Sequence, residues 1–73
     1  MKKIFWNVGI EIYEDGTVKA AVLRNRLAVN QPSDDYKCQP KREVYSVWFD
    51  SEIDAHSAVF EALAMNEEQE VAA

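Results

Sequence analysis

Apolar and polar residues alternate along the first part of the chain. Between residues 4 and 12 every even position is apolar, whereas the odd positions include Asn7, Gly9 and Glu11. This period of two predicts a strand with one buried face. A second run of similar character starts at Val18, after a short polar segment. Two paired strands are therefore expected in the first third of the sequence.

The segment between the two runs, residues 13–17, contains the pair Asp15-Gly16. It predicts a type I turn in which Gly16 has positive φ and opens a G1 bulge. The apolar positions then fix the register, because a slip of one residue moves every side chain to the other face. The expected pairs are Ile12 with Val18, Ile10 with Ala20, Val8 with Val22 and, on the other face, Glu11 with Lys19.

The same register, continued, would place Arg24 and Arg26 on the buried face. A bulge or a strand end near residues 24–25 is therefore expected. Residues 30–41 contain both prolines and show no apolar period, so they predict a long loop, and long loops are often functional or disordered.

A third strand is expected over residues 43–49, which are rich in β-branched and aromatic side chains. Ser51 then predicts a helix cap, with Asp54 in capping-box position, and the helix should run over residues 52–66. At helical spacing, one apolar stripe should face the sheet. It comprises Ile53, His56, Phe60, Leu63 and Ala64, with Val59 at its edge.

The predicted fold class is α+β, a three-stranded antiparallel sheet (β-β-β-α) with one C-terminal helix on one face. Residues 1–66 would form the single domain, and residues 67–73 an acidic, flexible tail. The place of the third strand in the sheet stays open. A second sheet face would be uncovered, and its apolar side chains indicate a partner or a dimer. The candidates are Phe5, Tyr13, Leu23 and one of Tyr45 or Trp48.

Composition limits the classes of protein to which the chain can belong. The chain has 73 residues and a net charge of -5, which fits one small domain rather than a two-domain enzyme. Its single cysteine, Cys38, and single histidine, His56, exclude an internal disulfide and a four-ligand Cys/His zinc site. We expect no metal, no cofactor and no membrane association. An unpaired thiol favours the cytoplasm.

The charges are unevenly distributed. Residues 1–42 hold all 8 basic residues and 5 of the acidic ones, whereas residues 43–73 hold 8 acidic residues and no basic one. The basic half could bind nucleic acid, although Lys and Arg also simply solvate a sheet and a net acidic chain gains little from phosphates. The candidates for nucleic-acid contact are Lys19, Arg24, Arg26, Lys37, Lys41 and Arg42.

The acidic helix has three interpretations: a solvated face, a surface that binds a basic partner, or a mimic of nucleic-acid phosphates. Catalysis has no candidate residues. Cys38 and His56 lack a third orienting group and an oxyanion hole. The carboxylates Asp50, Glu52 and Asp54 are explained by helix capping. The sequence thus predicts a protein that is not an enzyme.

Three segments carry a resemblance to known proteins: residues 5–8 (Phe-Trp-Asn-Val), residues 14–21 and residues 48–51 (Trp-Phe-Asp-Ser). In these the chain resembles small uncharacterised bacterial proteins carried on mobile elements. That resemblance implies a bacterial, intracellular protein and supplies no activity.

The order of elements also resembles the N-terminal part of HicB-type antitoxins. Those proteins pair with a small basic toxin and often dimerise. Residues 39–42 (Gln-Pro-Lys-Arg) replace the family's Pro-Gly-Cys-like turn, and the family's C-terminal DNA-binding segment is missing.

The leading hypothesis is a non-enzymatic protein-interaction domain that self-associates or binds a partner through the open sheet face or an edge strand. The alternative is a nucleic-acid-binding or antitoxin-like regulatory module that uses the basic sheet and loop.

Overall fold

The two long N-terminal strands form a hairpin around Gly16. In the computed structural model, which describes the backbone of residues 1–72 and the side chains of residues 1–66, β1 spans Lys3–Tyr13 and β2 spans Val18–Ala28. Gly16 has a φ of 89°, and the Tyr13 amide donates to the Thr17 carbonyl at 2.8 Å. The predicted turn and register are confirmed, with Ile12 opposite Val18.

The predicted bulge is also present. The register of β1 and β2 shifts between Asn7 and Val8, so that Asn7 pairs with Arg24 and Val8 pairs with Val22. Leu23 is the extra residue. The shift reverses the parity of β2 beyond this point, and Arg24 and Arg26 therefore lie on the face opposite Val8.

The sheet has four strands, so the prediction of three is wrong. β3 covers Asp35–Gln39 and β4 covers Arg42–Phe49, and the strand order is β2-β1-β4-β3 with antiparallel pairing throughout. The predicted loop over residues 30–41 therefore contains a strand. Every residue of β3 is exposed, because α1 makes no contact with it in the described part of the chain. A strand without a buried side leaves no apolar alternation in the sequence.

The single helix, α1, spans Glu52–Ala72 and packs mainly on β2 and β1. The Ser51 side chain accepts from the Asp54 amide at 3.4 Å, which confirms the cap. The helix continues beyond the end predicted at residue 66. The prediction of a flexible tail over 67–73 concerns residues outside those with described side chains.

The face of α1 that contacts the sheet differs from the predicted one. Ala55 is fully buried and Ala62 is 8% exposed, whereas Ile53 is 78% and Phe60 is 76% exposed. His56 and Leu63 are exposed as well. Small side chains let the helix backbone approach the sheet closely, and the larger apolar side chains then point to solvent. The prediction that Ile53, His56, Phe60 and Leu63 face the sheet is therefore wrong, since all four are exposed.

At two places, side chains pair with backbone groups of a strand that has no neighbouring strand there. Asn66 donates to the Val18 carbonyl and accepts from the Val18 amide, both at 2.7 Å, and so occupies the outer edge of β2. Beyond the start of β3, the Asp34 carboxylate accepts from the Trp48 amide at 2.9 Å and the Gln31 side chain donates to the Trp48 carbonyl at 2.8 Å. Both substitute for a missing neighbouring strand.

Candidate docking surface on the open sheet face

The sheet has a helix-side face and an open face. Residues directly opposite in antiparallel strands lie on the same face. Val8, Val18 and Val47 share the helix-side face, and Val8 and Val18 are almost completely buried there. The open face, on the other side, is formed by the odd positions of β1 and their partners. These include Phe5, Asn7, Gly9, Glu11 and Tyr13 from β1, and Val44, Ser46 and Trp48 from β4.

The open face is strongly basic. The register places on it Lys3, Arg24 and Arg26 at one end, and Lys19, Lys37 and Arg42 towards the other. Glu11 and Asp35 are acidic residues on this face, and Asp50, directly after β4, forms an ion pair with Lys3 at 3.6 Å. The charge of this face is therefore opposite in sign to that of the whole chain, whose net charge is -5.

An aromatic and arginine cluster occupies one end of the open face. The guanidinium carbons of Arg24 and Arg26 lie 5.8 and 5.6 Å from the centre of the Trp48 ring. Lys3 lies 5.8 Å above the Phe5 ring. Trp48 is 6% and Phe5 is 4% exposed, so these rings support the cations that cover them and present little aromatic surface of their own.

Asn7 lies in the same row as Arg24 and Trp48 and is fully buried. Its side-chain amide donates to Ser46 Oγ at 2.9 Å and to the Val47 carbonyl at 3.2 Å. Its Oδ1 has no hydrogen-bond partner. The bonds to β4 hold the strands together at the point where the register shifts.

The middle of the open face carries a shallow groove of about 260 Å³. Gly9 forms its floor, Leu23 and Val44 its apolar walls, and Lys19 and Glu11 its polar rim. A Cβ atom on Gly9 would lie 2.7 Å from Leu23 Cδ1, so Leu23 fills the space that a side chain at position 9 would take. Leu23 nevertheless remains 61% exposed. This is apolar surface without an intramolecular partner.

A polar network forms the other end of the open face. Arg42 Nη1 donates to Glu11 Oε1 at 2.8 Å, its Nε donates to Gln39 Oε1 at 2.7 Å, and the Tyr13 hydroxyl donates to Glu11 at 2.9 Å. The hydrogen bond with Tyr13 and the charge of Glu11 both raise the pKa of Arg42. Lys19 lies 5.2 Å above the Tyr13 ring. Glu11 is thereby neutralised within the face, and Lys19 is left without an acidic neighbour directly bonded to it.

The predicted partner-binding residues separate between the two faces. Phe5, Tyr13, Leu23 and Trp48 lie on the open face, as expected, but Phe5 and Trp48 are buried under Lys and Arg side chains. Tyr45, the alternative to Trp48, pairs with Ile10 on the helix-side face. There it packs against Tyr36, with ring centres 4.8 Å apart.

The predicted nucleic-acid residues are partly brought together. The open face collects Lys19, Arg24, Arg26, Lys37 and Arg42, whereas Lys41 lies in the turn between β3 and β4, where its carbonyl accepts from the Glu14 amide at 3.0 Å. Sequence reasoning missed Gly9 and Val44. A glycine in the middle of a strand does signal a close approach, but the alternation alone does not show which side chain approaches.

Cys38 and His56 do not form a dyad. Cys38 is exposed on β3, and β3 and α1 make no contact in the described part of the chain. His56 is instead 4.0 Å from Glu52, one turn before it on the same helix.

The outward side of α1 is the second unpartnered surface. Ile53 and Phe60 point away from the sheet, and Leu63 flanks them with 40% exposure. Glu52, Asp54 and Glu61 are exposed around this stripe, and α1 contains no lysine or arginine. The molecule therefore has an acidic, apolar helix on one side and a basic, apolar sheet face on the other.

Comparisons with known proteins found no matching family model, no matching curated protein and no matching solved structure. The resemblances to mobile-element proteins and to HicB-type antitoxins therefore stay predictions. No helix in the described residues is both long enough and apolar enough to span a bilayer.

Proposed function

We propose that the chain is a non-enzymatic protein-interaction domain, and that its open sheet face binds an acidic, amphipathic helical segment of a protein partner. The observation that carries this proposal is the Gly9 groove, with exposed Leu23 and with Lys19 on its rim, on a face that also carries Arg24 and Arg26 towards one end. Apolar surface rimmed by polar groups is typical of an interaction site. The basic residues of the open face outnumber its acidic ones, so the face as a whole selects for negative charge in whatever covers it.

The open face suits this role better than a strand edge does. Asn66 occupies the edge of β2 at Val18. The opposite edge, β3, is five residues long, carries Lys37 at its centre and is followed by Pro40. Short, charged edges that end at a proline resist pairing with another strand. These features favour side-chain contacts on the open face over strand addition at β3 or at the Val18 end of β2.

The exposed thiol of Cys38 supports the cytoplasm as the place of action.

The test is an NMR titration of the labelled protein with two synthetic helical peptides of equal length. Both carry Leu and Phe at i, i+3 and i+7, one with Glu and the other with Lys at the remaining positions. The acidic peptide should shift the amides of Gly9, Ala21, Leu23 and Val44, because these border the groove, and the basic peptide should not. Equal binding of both peptides, or shifts confined to another surface, would overturn the proposal.

Matched variants sharpen this test. Leu23 and Leu27 are 61% and 59% exposed on the same strand, but Leu27 pairs with Ile4 and so lies on the helix-side face. Leu23→Asp should weaken binding of the acidic peptide by about tenfold or more, the equivalent of roughly 1.4 kcal/mol. Leu27→Asp should leave the affinity unchanged.

A second candidate function is nucleic-acid binding, which the grouping of Arg24, Arg26, Lys19 and Arg42 on one face favours. The burial of the Phe5 and Trp48 rings weighs against base stacking. A single-stranded oligonucleotide that shifts the same amides, with an affinity that falls steeply with salt and with Arg24→Ala, would establish this alternative.

A further inference from the structure

We infer that the segment bound by the open sheet face is helix α1 of a second copy of this chain. This inference rests on the proposed function and names its partner. The outward stripe of α1 has the required chemistry, since Ile53 and Phe60 supply apolar side chains and Glu61 and Asp54 supply negative charge.

The two sides of α1 carry apolar side chains of different size. Its sheet-facing side uses alanines, Ala55 and Ala62, which are buried in the chain's own fold. Its bulkiest apolar side chains are therefore left for a different surface. Phe60 alone, at 76% exposure, is a large apolar side chain of the type that interfaces bury.

Charge decides between the possible arrangements of two copies. A two-fold pairing of α1 with α1 would bring Glu52, Asp54 and Glu61 of both copies together, and α1 has no basic residue to compensate. Like charges placed face to face oppose such a contact. Packing of α1 on the open sheet face instead brings these carboxylates to Lys19, Arg24 and Arg26.

The dimensions of the two surfaces also agree. A helix of 21 residues is about 31 Å long, and a strand of 11 residues is about 36 Å long. The helix can thus lie along the full length of the β1–β2 ribbon. Apolar stripe and apolar groove then coincide, with charged side chains on both flanks.

The two surfaces lie on opposite sides of the molecule, and this has a consequence for the assembly. Each copy offers one helix and one sheet face, so the contact is heterologous and does not stop at two copies unless a ring closes. We therefore expect the average mass of the protein, measured by sedimentation equilibrium, to rise past the dimer with concentration. Raising the salt should lower it, because the flanking charges are exposed.

Two variants test the arrangement directly. Phe60→Asp places a charge in the apolar stripe of α1, and Leu23→Asp places one in the groove of the sheet face. Both side chains are largely exposed, so neither change should unfold the chain. Each variant alone should be monomeric. An equimolar mixture should form a dimer and nothing larger, because one intact helix and one intact sheet face remain. Phe60→Leu and Leu27→Asp are the controls and should assemble like the parent.

A parent protein that stops at a two-fold dimer, or variants that do not complement each other, would overturn the inference. A parent that stays monomeric at all concentrations would also overturn it. Binding of the acidic peptide by that monomer would leave the proposed function standing, and loss of both would refute the two together.

Discussion

The pKa values of Tyr36 and Tyr45, on the helix-side face, depend on the groups around them. Desolvation is the first cause that raises the pKa of Tyr36 to about 12, followed by a hydrogen bond with the Cys38 side chain and by the negative charges of Cys38 and Glu43. Desolvation, and then the charge of Glu43, also raise the pKa of Tyr45. Both phenols therefore hold their protons more tightly in the folded chain than in the unfolded one.

This difference predicts a loss of stability in alkali. A group with a raised pKa in the fold stabilises it fully below the ordinary tyrosine value of 10.0 and loses that contribution as the pH rises through the folded pKa. The urea midpoint should therefore fall between pH 10 and 12. The double variant Tyr36→Phe, Tyr45→Phe should show a flatter dependence over the same range. An equally steep decline in the double variant would contradict this explanation.

At the scale of elements, the rotation of α1 about its own axis determines which of its apolar side chains are buried and which are exposed. The small side chains of Ala55 and Ala62 face the sheet, and Phe60 faces solvent. Two stripes on one helix are both apolar, so periodicity alone does not distinguish the side that packs from the side that is free. The helix itself was predictable from Ser51 and the spacing, and its rotation was not.

Substitutions on the two sides of α1 should therefore differ in their effect on stability. Ala62→Leu inserts a larger side chain where the helix contacts the sheet, and we expect it to lower the free energy of unfolding by about 1–3 kcal/mol. Phe60→Ala should change it by no more than about 0.5 kcal/mol, since the ring is exposed. Urea denaturation at low protein concentration measures both. The reverse ranking would place the helix the other way round.

The strands show the same division between what the sequence predicts and what it does not. Asp15-Gly16 and the apolar column around Val8 specify one register of the hairpin, and that register is present. β3 was not predictable, because Tyr36, Lys37 and Cys38 are all exposed and pair only along one side. The basic residues of the open face were identified, but the Gly9 groove depends on the contact with Leu23, which no periodicity contains.

At the scale of the whole molecule, helix and sheet are joined at the far end by one side chain. Asn66 makes two hydrogen bonds of 2.7 Å with the backbone of Val18, and Val18 is 2% exposed. The chain is extended for its length, with a radius of gyration of 13.7 Å against about 11 Å for an average domain of this size. In so thin a molecule each long-range contact carries a larger share of the stability.

Asn66→Ala should accordingly destabilise the fold by about 1–3 kcal/mol, because the buried amide and carbonyl of Val18 lose their partners. Alanine is the better helix former, so weaker helix propensity is not an explanation for a loss. Asn30→Ala, at an exposed loop position, is the control and should change the free energy of unfolding by no more than about 0.5 kcal/mol. A stable Asn66→Ala variant would show that this contact is dispensable.

The bond between Asn66 and Val18 also sets an order of events during synthesis. The β1–β2 hairpin is local in sequence and can form as soon as residue 28 has left the ribosome, since contacts between near neighbours form fastest. The Val18 amide and carbonyl on the outer edge of β2 then remain unpaired until residue 66 has followed. For that interval the nascent hairpin has an unpaired amide and carbonyl at Val18, which Asn66 pairs once α1 has folded.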